Sequence, residues 1–393
     1  MEKVWIEIFL LVLGEEDSMK RIMKSILKKM EGKGYTRRSF AEKFGVSRET
    51  IRKGVNGQRE LALDVFIEIV QELFESKKER REQIEKFIKK VSTDLNIRKS
   101  LAFCQGAGEH DLMDFLINKH FGKEKLDKFL GAYRLCSYRN KGEKKGEELL
   151  KLVNKKRYDK KDECPIIMEM LKVLCMYDER NFNAMWPHAR VVEEELTNLK
   201  KIPYIKKYLD LHHKERLAYI RLLSNKLEEA REIADEILSS PLDIPIAKST
   251  ALCCKGESYI FSDVLQAESY ILSALSLLEE ANVSKNSYKY KAYKTTLAFI
   301  YIEFGFNLDK IDFDNLKEEE LAYYEGKFGC EKKAQELFKA LEKKGMSAFA
   351  MYYQAVLKSD IIGLQKALEE FEKNGNILYS TLAKRALLKE KVS

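Results

Sequence analysis

Apolar residues recur along this chain at helical spacing and almost nowhere alternate with polar ones. Met19, Ile22, Met23, Ile26, Leu27 and Met30 mark one face of a first amphipathic helix, and residues 61–74 supply another. Within the charged stretch SKKERREQIEKFIKK (76–90), Ile84, Phe87 and Ile88, continued by Val91, keep one apolar stripe, and no Gly or Pro interrupts it. That pattern predicts a helical connector with a solvated outer face. Beyond it, helix follows helix. Breaks are expected at Gly106-Ala-Gly, Gly122, Asn140-Lys-Gly, Pro165, Pro187, Pro203, Pro241 with Pro245, Asn282, Gly305, Gly345 and Gly375. The pattern predicts an all-α fold.

One short stretch departs from simple amphipathicity. RRSFAEKFGVSRETIRKGVNG (37–57) reads as a helix-turn-helix, with one helix over about residues 39–44, a turn at Gly45-Val46 and a second helix from about Arg48. Ala41 is small enough for close helix approach, and Gly45 suits the left-handed backbone of a tight break. Phe40, Phe44, Val46 and Ile51 make the apolar wedge, and Ser47 is placed to cap the second helix. Arg48, Glu49, Thr50, Arg52 and Lys53 are left outward, where they would reach base edges or phosphates in a major groove. With Arg37, Arg38 and Ser47 they are the expected DNA-binding residues. The segment resembles the lambda-repressor-like helix-turn-helix, departing from it at Gly54, where an apolar residue is usual, and at Val55, where Glu often stands.

The long helical tract also repeats itself. NKLEEAREIADEIL (225–238), SDVLQAESYILSAL (262–275), GCEKKAQELFKAL (329–341) and SDIIGLQKALEEF (359–371) each place an Ala at a helix crossing, at Ala230, Ala267, Ala334 and Ala367. Two of the gaps are near the 34-residue period of the tetratricopeptide repeat, and the middle one is nearly double. A degenerate unit is therefore expected over residues 288–305. The reading is a right-handed TPR-like α-solenoid after the helix-turn-helix domain, with domains at 1–75, 96–388 and a helical linker at 76–95.

Charge sharpens both halves. Residues 20–60 carry 13 Lys+Arg and 4 Asp+Glu, while the whole chain of 393 residues is only +8. A basic module of that kind is the electrostatic footprint of phosphate binding. Residues 309–325 hold Asp309, Asp312, Asp314, Glu318, Glu319, Glu320 and Glu325 against Lys310 and Lys317, an acidic wall suited to a basic peptide. Seven cysteines at irregular spacing read as reduced thiols of a cytoplasmic protein. The apolar run at residues 4–13 is too short to span a bilayer and is expected to pack against the first domain. No P-loop, GxGxxG, HExxH or GxSxG occurs. Cys104 and His110 in CQGAGEH lack an orienting third group, and His212-His213 lie side by side in sequence, unlike a metal pair. No enzyme activity, metal or cofactor is expected.

A basic helix-turn-helix head on a helical-repeat body resembles the peptide-sensing regulators of Gram-positive bacteria, and within them the arbitrium receptors of Bacillus phages, the AimR family. The resemblance is clearest in KGESYIFSDVLQAESYILSAL (255–275), LKEEELAYYEGKFGCEKKAQEL (316–337) and residues 350–376. It implies a homodimer that binds double-stranded operator DNA and activates a gene governing the lysis–lysogeny decision. A secreted hexapeptide ending in Arg-Gly-Ala would bind the repeat groove and switch that activity off. By position, Glu319 and Glu320 would take the peptide arginine, and Asn374 and Asn376 fall in the polar stretch that holds the peptide. Tyr219 and Leu223 stand where relatives place two Asn, and an Arg that relatives carry near Ile246 is missing, so the peptide's N-terminal half is expected to be more apolar. Two other classes fit the pattern less well: a Rap-type peptide-regulated phosphatase and a plain TPR scaffold.

Overall fold

The computed structural model describes residues 19–158 and 161–390; the apolar run at 4–13 lies outside them. Among the described residues every regular element is helical. In chain order the α-helices are α1 (Met19–Gly32), α2 (Arg37–Lys43), α3 (Arg48–Val55), α4 (Leu63–Leu73), α5 (Lys77–Lys90), α6 (Asp94–Ala107), α7 (His110–Lys119) and α8 (Asp127–Asn140). They continue as α9 (Gly146–Asn154), α10 (Glu163–Asp178), α11 (Met185–Asn198), α12 (Pro203–Leu223), α13 (Leu227–Leu238), α14 (Pro245–Tyr259) and α15 (Val264–Glu280). The last are α16 (Tyr288–Phe304), α17 (Glu318–Phe328), α18 (Glu331–Lys344), α19 (Ala348–Leu357), α20 (Ile361–Lys373) and α21 (Ile377–Glu390).

The chain divides into two compact units. One holds the described residues up to 105 with 109–134 and 202–205; the other holds 106–108, 135–201 and the described residues from 206. In the first, the apolar faces of α1 and α4 meet over a core of Ile22, Met23, Ile26, Met30, Phe66, Ile69 and Val70. α5 packs into the same unit, its Phe87 ring stacked on Phe66 at 4.0 Å. Glu60 accepts hydrogen bonds from Ser92, Thr93 and Asn96 and so ties the residues before α4 to the start of α6. Burial alone would raise its carboxyl, but those hydrogen bonds outweigh it and hold the group below the usual range.

The second unit is the helical-repeat solenoid. Its consecutive helices pack in pairs, α14 with α15, α17 with α18 and α19 with α20, and α12 is joined to α13 by the ion pairs Lys214–Glu236 and Arg221–Glu229. Ala230, Ala267, Ala334 and Ala367 each lie on the second helix of a pair, and all four are buried. The α14–α15 crossing shows why small residues are needed. A Cβ added at Gly256 would lie 2.6 Å from Ile271 Cγ1 and 2.9 Å from the Ala267 carbonyl oxygen. The long gap in the Ala spacing also has its explanation. α16 packs against α15 and α17, but where a second helix of its own pair would stand the chain makes two 3-10 turns, Leu308–Lys310 and Phe313–Asn315, before α17.

Most expected breaks are found, with one correction. Gly106 lies inside α6, and the chain turns at Gly108, which takes a φ of +79°. Left-handed backbone at Arg180, Asn225 and Ser359 makes further turns that no Gly or Pro announces.

Candidate functional site

The first unit carries the helix-turn-helix as α2 and α3. Thr36 caps α2 in a reciprocal box with Ser39, a local signal that the sequence carries as Thr-x-x-Ser. Phe40, Ala41 and Ile51 are buried, and Phe44 and Val46 are half-buried around Gly45, whose φ of +60° makes the turn. Ser47 caps α3, its Oγ accepting from the Thr50 amide at 3.0 Å. The departure at Gly54 is explained by Leu61, whose side chain lies 3.2 Å from where a Cβ would stand. Leu61, brought in from beyond the motif, supplies the apolar group that the helix itself lacks.

Arg37, Arg38, Arg48, Glu49 and Arg52 are exposed, and Thr50 and Lys53 half-exposed. They are not all free. Arg52 grips Glu49 through two hydrogen bonds of 2.7 and 2.6 Å, and Lys53 approaches the same carboxylate at 3.5 Å. The Arg52 hydrogen bond holds the Glu49 carboxyl at about 2. Arg38 similarly pairs with Glu42 at 2.9 Å. Arg48 donates no such bond within α3 and presents its charge to solvent.

In the second unit, Glu319 and Glu320 open α17, yet both are buried, at 7% and 5% exposure. Glu319 accepts from Arg180 Nη2 at 2.8 Å and from Ser347 Oγ, which also caps α19. Burial would raise the Glu319 carboxyl, but the Arg180 charge and the two hydrogen bonds hold it below the usual range. Glu320 has no such partners. Its Oε2 is buried without a hydrogen bond, and burial, with Glu319 beside it, pushes the carboxyl up to about 7. This is a seat of two carboxylates with one oxygen unmet.

Residues 80–389 match the model of the AimR transcriptional regulator-like family, and residues 26–79 match a helix-turn-helix model. The chain belongs to the AimR-like family of transcriptional regulators. An uncharacterized protein from Bacillus anthracis is 27% identical over 239 residues, 60% of this chain and 87% of its own length. Among solved structures, a phAimR–ligand structure is similar with a TM-score of 0.69 at 17% identity, over 84% of this chain and 98% of its own. A selenomethionine phAimR structure gives 0.56 at 18% identity, over 94% and 96%. These likenesses show the fold. The family is one of regulators and not of enzymes.

In this AimR-like body the other expected peptide-binding residues fall into two places. Tyr219 lies on α12 and donates its hydroxyl to buried Glu257 at 3.1 Å. Tyr379 donates to the other oxygen of Glu257 at 2.9 Å, and Tyr177 meets the Tyr219 ring edge-on. Asn374 and Asn376 flank the turn between α20 and α21. Asn374 donates its side-chain amide to Glu370 and accepts at its carbonyl from the Phe182 amide. Asn376 is buried and its Oδ1 lies 3.4 Å from the Tyr379 amide, spending its side chain on the start of α21. Leu223 lines a cavity of about 300 Å³ with Phe182, Trp186, Ile220 and Gly375. Arg221 lies over the Trp186 ring at its rim. Arg180, Glu257 and Trp186 were not legible as site residues. Their partners lie tens of residues away or more, and no local spacing announces them.

Proposed function

We propose that this chain is a peptide-responsive, DNA-binding regulator of a phage lysis–lysogeny decision, acting in the cytoplasm of the host bacterium. The division is a head at 1–75, a helical connector at 76–95 and a peptide-binding and dimerising body at 96–388. As a homodimer, it binds two operator half-sites through Arg37, Arg38, Ser47, Arg48, Glu49, Thr50, Arg52 and Lys53, and activates a downstream gene. A hexapeptide ending in Arg-Gly-Ala binds the body and ends that activity, with Tyr219, Glu319, Glu320, Asn374 and Asn376 as its contacts. The chain needs no cofactor for this. Among the described residues no helix is long and apolar enough to cross a membrane.

The observation that carries the reading is the Glu320 oxygen. A buried acceptor without a partner costs about 1–3 kcal/mol, more when charged. Such a cost persists in a regulator where a ligand's donor repays it, and a guanidinium is the donor best matched to adjacent carboxylates. Apolar Leu223 and the cavity beside it favour a peptide whose remaining half is hydrophobic.

The test is a gel-shift titration of the protein with its phage's upstream DNA, with and without hexapeptides ending in Arg-Gly-Ala. Binding abolished by one peptide is the expected result. DNA binding indifferent to every peptide would discard the receptor half of the reading. No DNA binding at any salt concentration would discard the regulatory half.

A further inference from the structure

The segment between α10 and α11 is unusual in three ways. Arg180 takes a φ of +56°, the left-handed region that Asn and Gly tolerate and Arg rarely adopts. The next residues are fastened to the end of α20: Phe182 N donates to Asn374 O, and Asn183 Nδ2 to Lys373 O, each at 2.9 Å. Gly375 permits this approach, since a Cβ there would lie 2.4 Å from Asn183 Oδ1 and 2.9 Å from its backbone nitrogen.

Arg180 then reaches the seat incompletely. One arm of its guanidinium binds Glu319, while Nη1 is buried with no partner. Glu320 Oε2 is equally unmet. A guanidinium fork and two carboxylates are together, joined by one hydrogen bond, with one guanidinium nitrogen and one carboxylate oxygen left unmet. The Arg180 side chain is also 39% exposed, so it has a route back to water.

We propose that Arg180 is the resident occupant of the acidic seat, holding in the peptide-free chain the place that a guest arginine takes. Seating the guest displaces Arg180 and loosens residues 180–183 from residues 373–375. This rests on the reading that the seat receives a peptide arginine. A guest approaching from its own backbone is not bound to the left-handed geometry of Arg180. It engages Glu319 and Glu320 with both arms, which the resident does not. Two guanidinium groups side by side in one buried seat would repel, so the guest enters as the resident leaves.

The test is calorimetry of hexapeptides ending in Arg-Gly-Ala, and of the same peptides with Ala replacing Arg, on wild type, Arg180→Gln and Arg180→Lys. Arg180→Gln is expected to bind the arginine peptide about two- to fivefold tighter than wild type, the range of a partly exposed ion pair removed as a competitor. Arg180→Lys is expected to stay near wild type. Hydrogen exchange over residues 180–184 of the wild type is expected to speed up when the peptide binds. If the Ala peptide binds wild type as well as the Arg peptide, the seat reading fails and displacement fails with it. If arginine matters but Arg180→Gln binds equally or more weakly, displacement alone is overturned. Slower exchange over 180–184 on binding, which needs no variant to fold, also overturns displacement. Binding of none of these peptides overturns both.

Discussion

Glu320→Gln makes the acidic seat measurable without any ligand. The carboxyl sits at about 7 in the folded protein against an ordinary 4.5, with burial as the main cause and Glu319 adding to it. The charged groups acting on it are Lys317 at the N-cap of α17, Glu319 on α17 and Arg180 before α11; Tyr353 on α19 also lies within its field. The sign follows from a folded value above the unfolded one. Below pH 4.5 both states are neutral and the group costs nothing. As pH rises toward 7 the unfolded chain ionises first, and stability is lost until the folded group ionises too. At pH 8 the penalty is roughly 3 kcal/mol, and at pH 5 under about 1 kcal/mol. Glutamine has the same shape and no titration, and any unmet hydrogen bond of its amide is independent of pH. The difference in unfolding free energy between variant and wild type should therefore move by roughly 2–3 kcal/mol in the variant's favour from pH 5 to pH 8. Urea denaturation at the two pH values measures it. A difference that stays flat between them would refute the claim that Glu320 is a buried, unsatisfied acid. The same substitution should weaken an arginine-containing hexapeptide by roughly 1.5–3 kcal/mol, the range of a charge-assisted hydrogen bond. Stability and binding then move in opposite directions, as expected where a site retains a destabilised group for its ligand.

The remaining predictions concern the scaffold and the head. Arg48→Ala should weaken DNA binding and lower the slope of log affinity against log salt by about one, with hexapeptide affinity unchanged; equal slopes would remove Arg48 from the interface. Glu49→Gln should strengthen salt-dependent, sequence-indifferent DNA binding, because it frees Arg52 from its two hydrogen bonds; weaker binding would make Glu49 itself a reader of bases. Gly45→Ala should cost roughly 1–2 kcal/mol in thermal or urea unfolding, since its φ of +60° disfavours a Cβ although no atom lies within 4 Å of one. Gly256→Ala should cost about 1–3 kcal/mol for the opposite reason, a clash with Ile271 and the Ala267 backbone. No loss at Gly45 would overturn the strain argument, and no loss at Gly256 the crowding argument.

What was readable from the sequence was whatever the chain encodes over one or two helical turns. Gly45, Ser47 and the apolar set from Met19 to Met30 act locally, and the turn, the cap and the buried face stand where the spacing puts them. The Ala ladder was readable because crossing helices impose the same small residue in each pair, and its long gap falls where two 3-10 turns follow α16 in place of a second helix. The acidic stretch announced carboxylates, but not that Glu319 and Glu320 turn inward while Glu318 stays exposed. Hidden most completely was Arg180, 139 residues from Glu319 in sequence. Its left-handed backbone carries no glycine to advertise it, and its meaning comes only from what the solenoid brings beside it. The Gly54 departure is the same lesson in small: the missing apolar group is supplied by Leu61, outside the motif.

A switch requires that its two arrangements lie close in free energy, and the segment around Arg180 meets that requirement by its own contacts. Its two hydrogen bonds to residues 373 and 374 contribute about 0.5–1.5 kcal/mol each. The Arg180–Glu319 pair, with its cation more than a third exposed, adds at most about 1 kcal/mol after solvent screening. Against these stands roughly 1–2 kcal/mol for the left-handed arginine. At the middle of each range what remains is about 1 kcal/mol, which leaves the fastened arrangement slightly favoured and the loosened one thermally accessible. A micromolar ligand has about 8 kcal/mol of binding free energy, and shifting the balance a hundredfold takes about 3 kcal/mol of it as a difference between the two arrangements. A guest arginine supplies such a difference only if the seat it enters is better completed when Arg180 is away. In the proposed seat the unmet Glu320 oxygen is where that difference would arise, so the acid that weakens the fold is the group whose substitution tests the response.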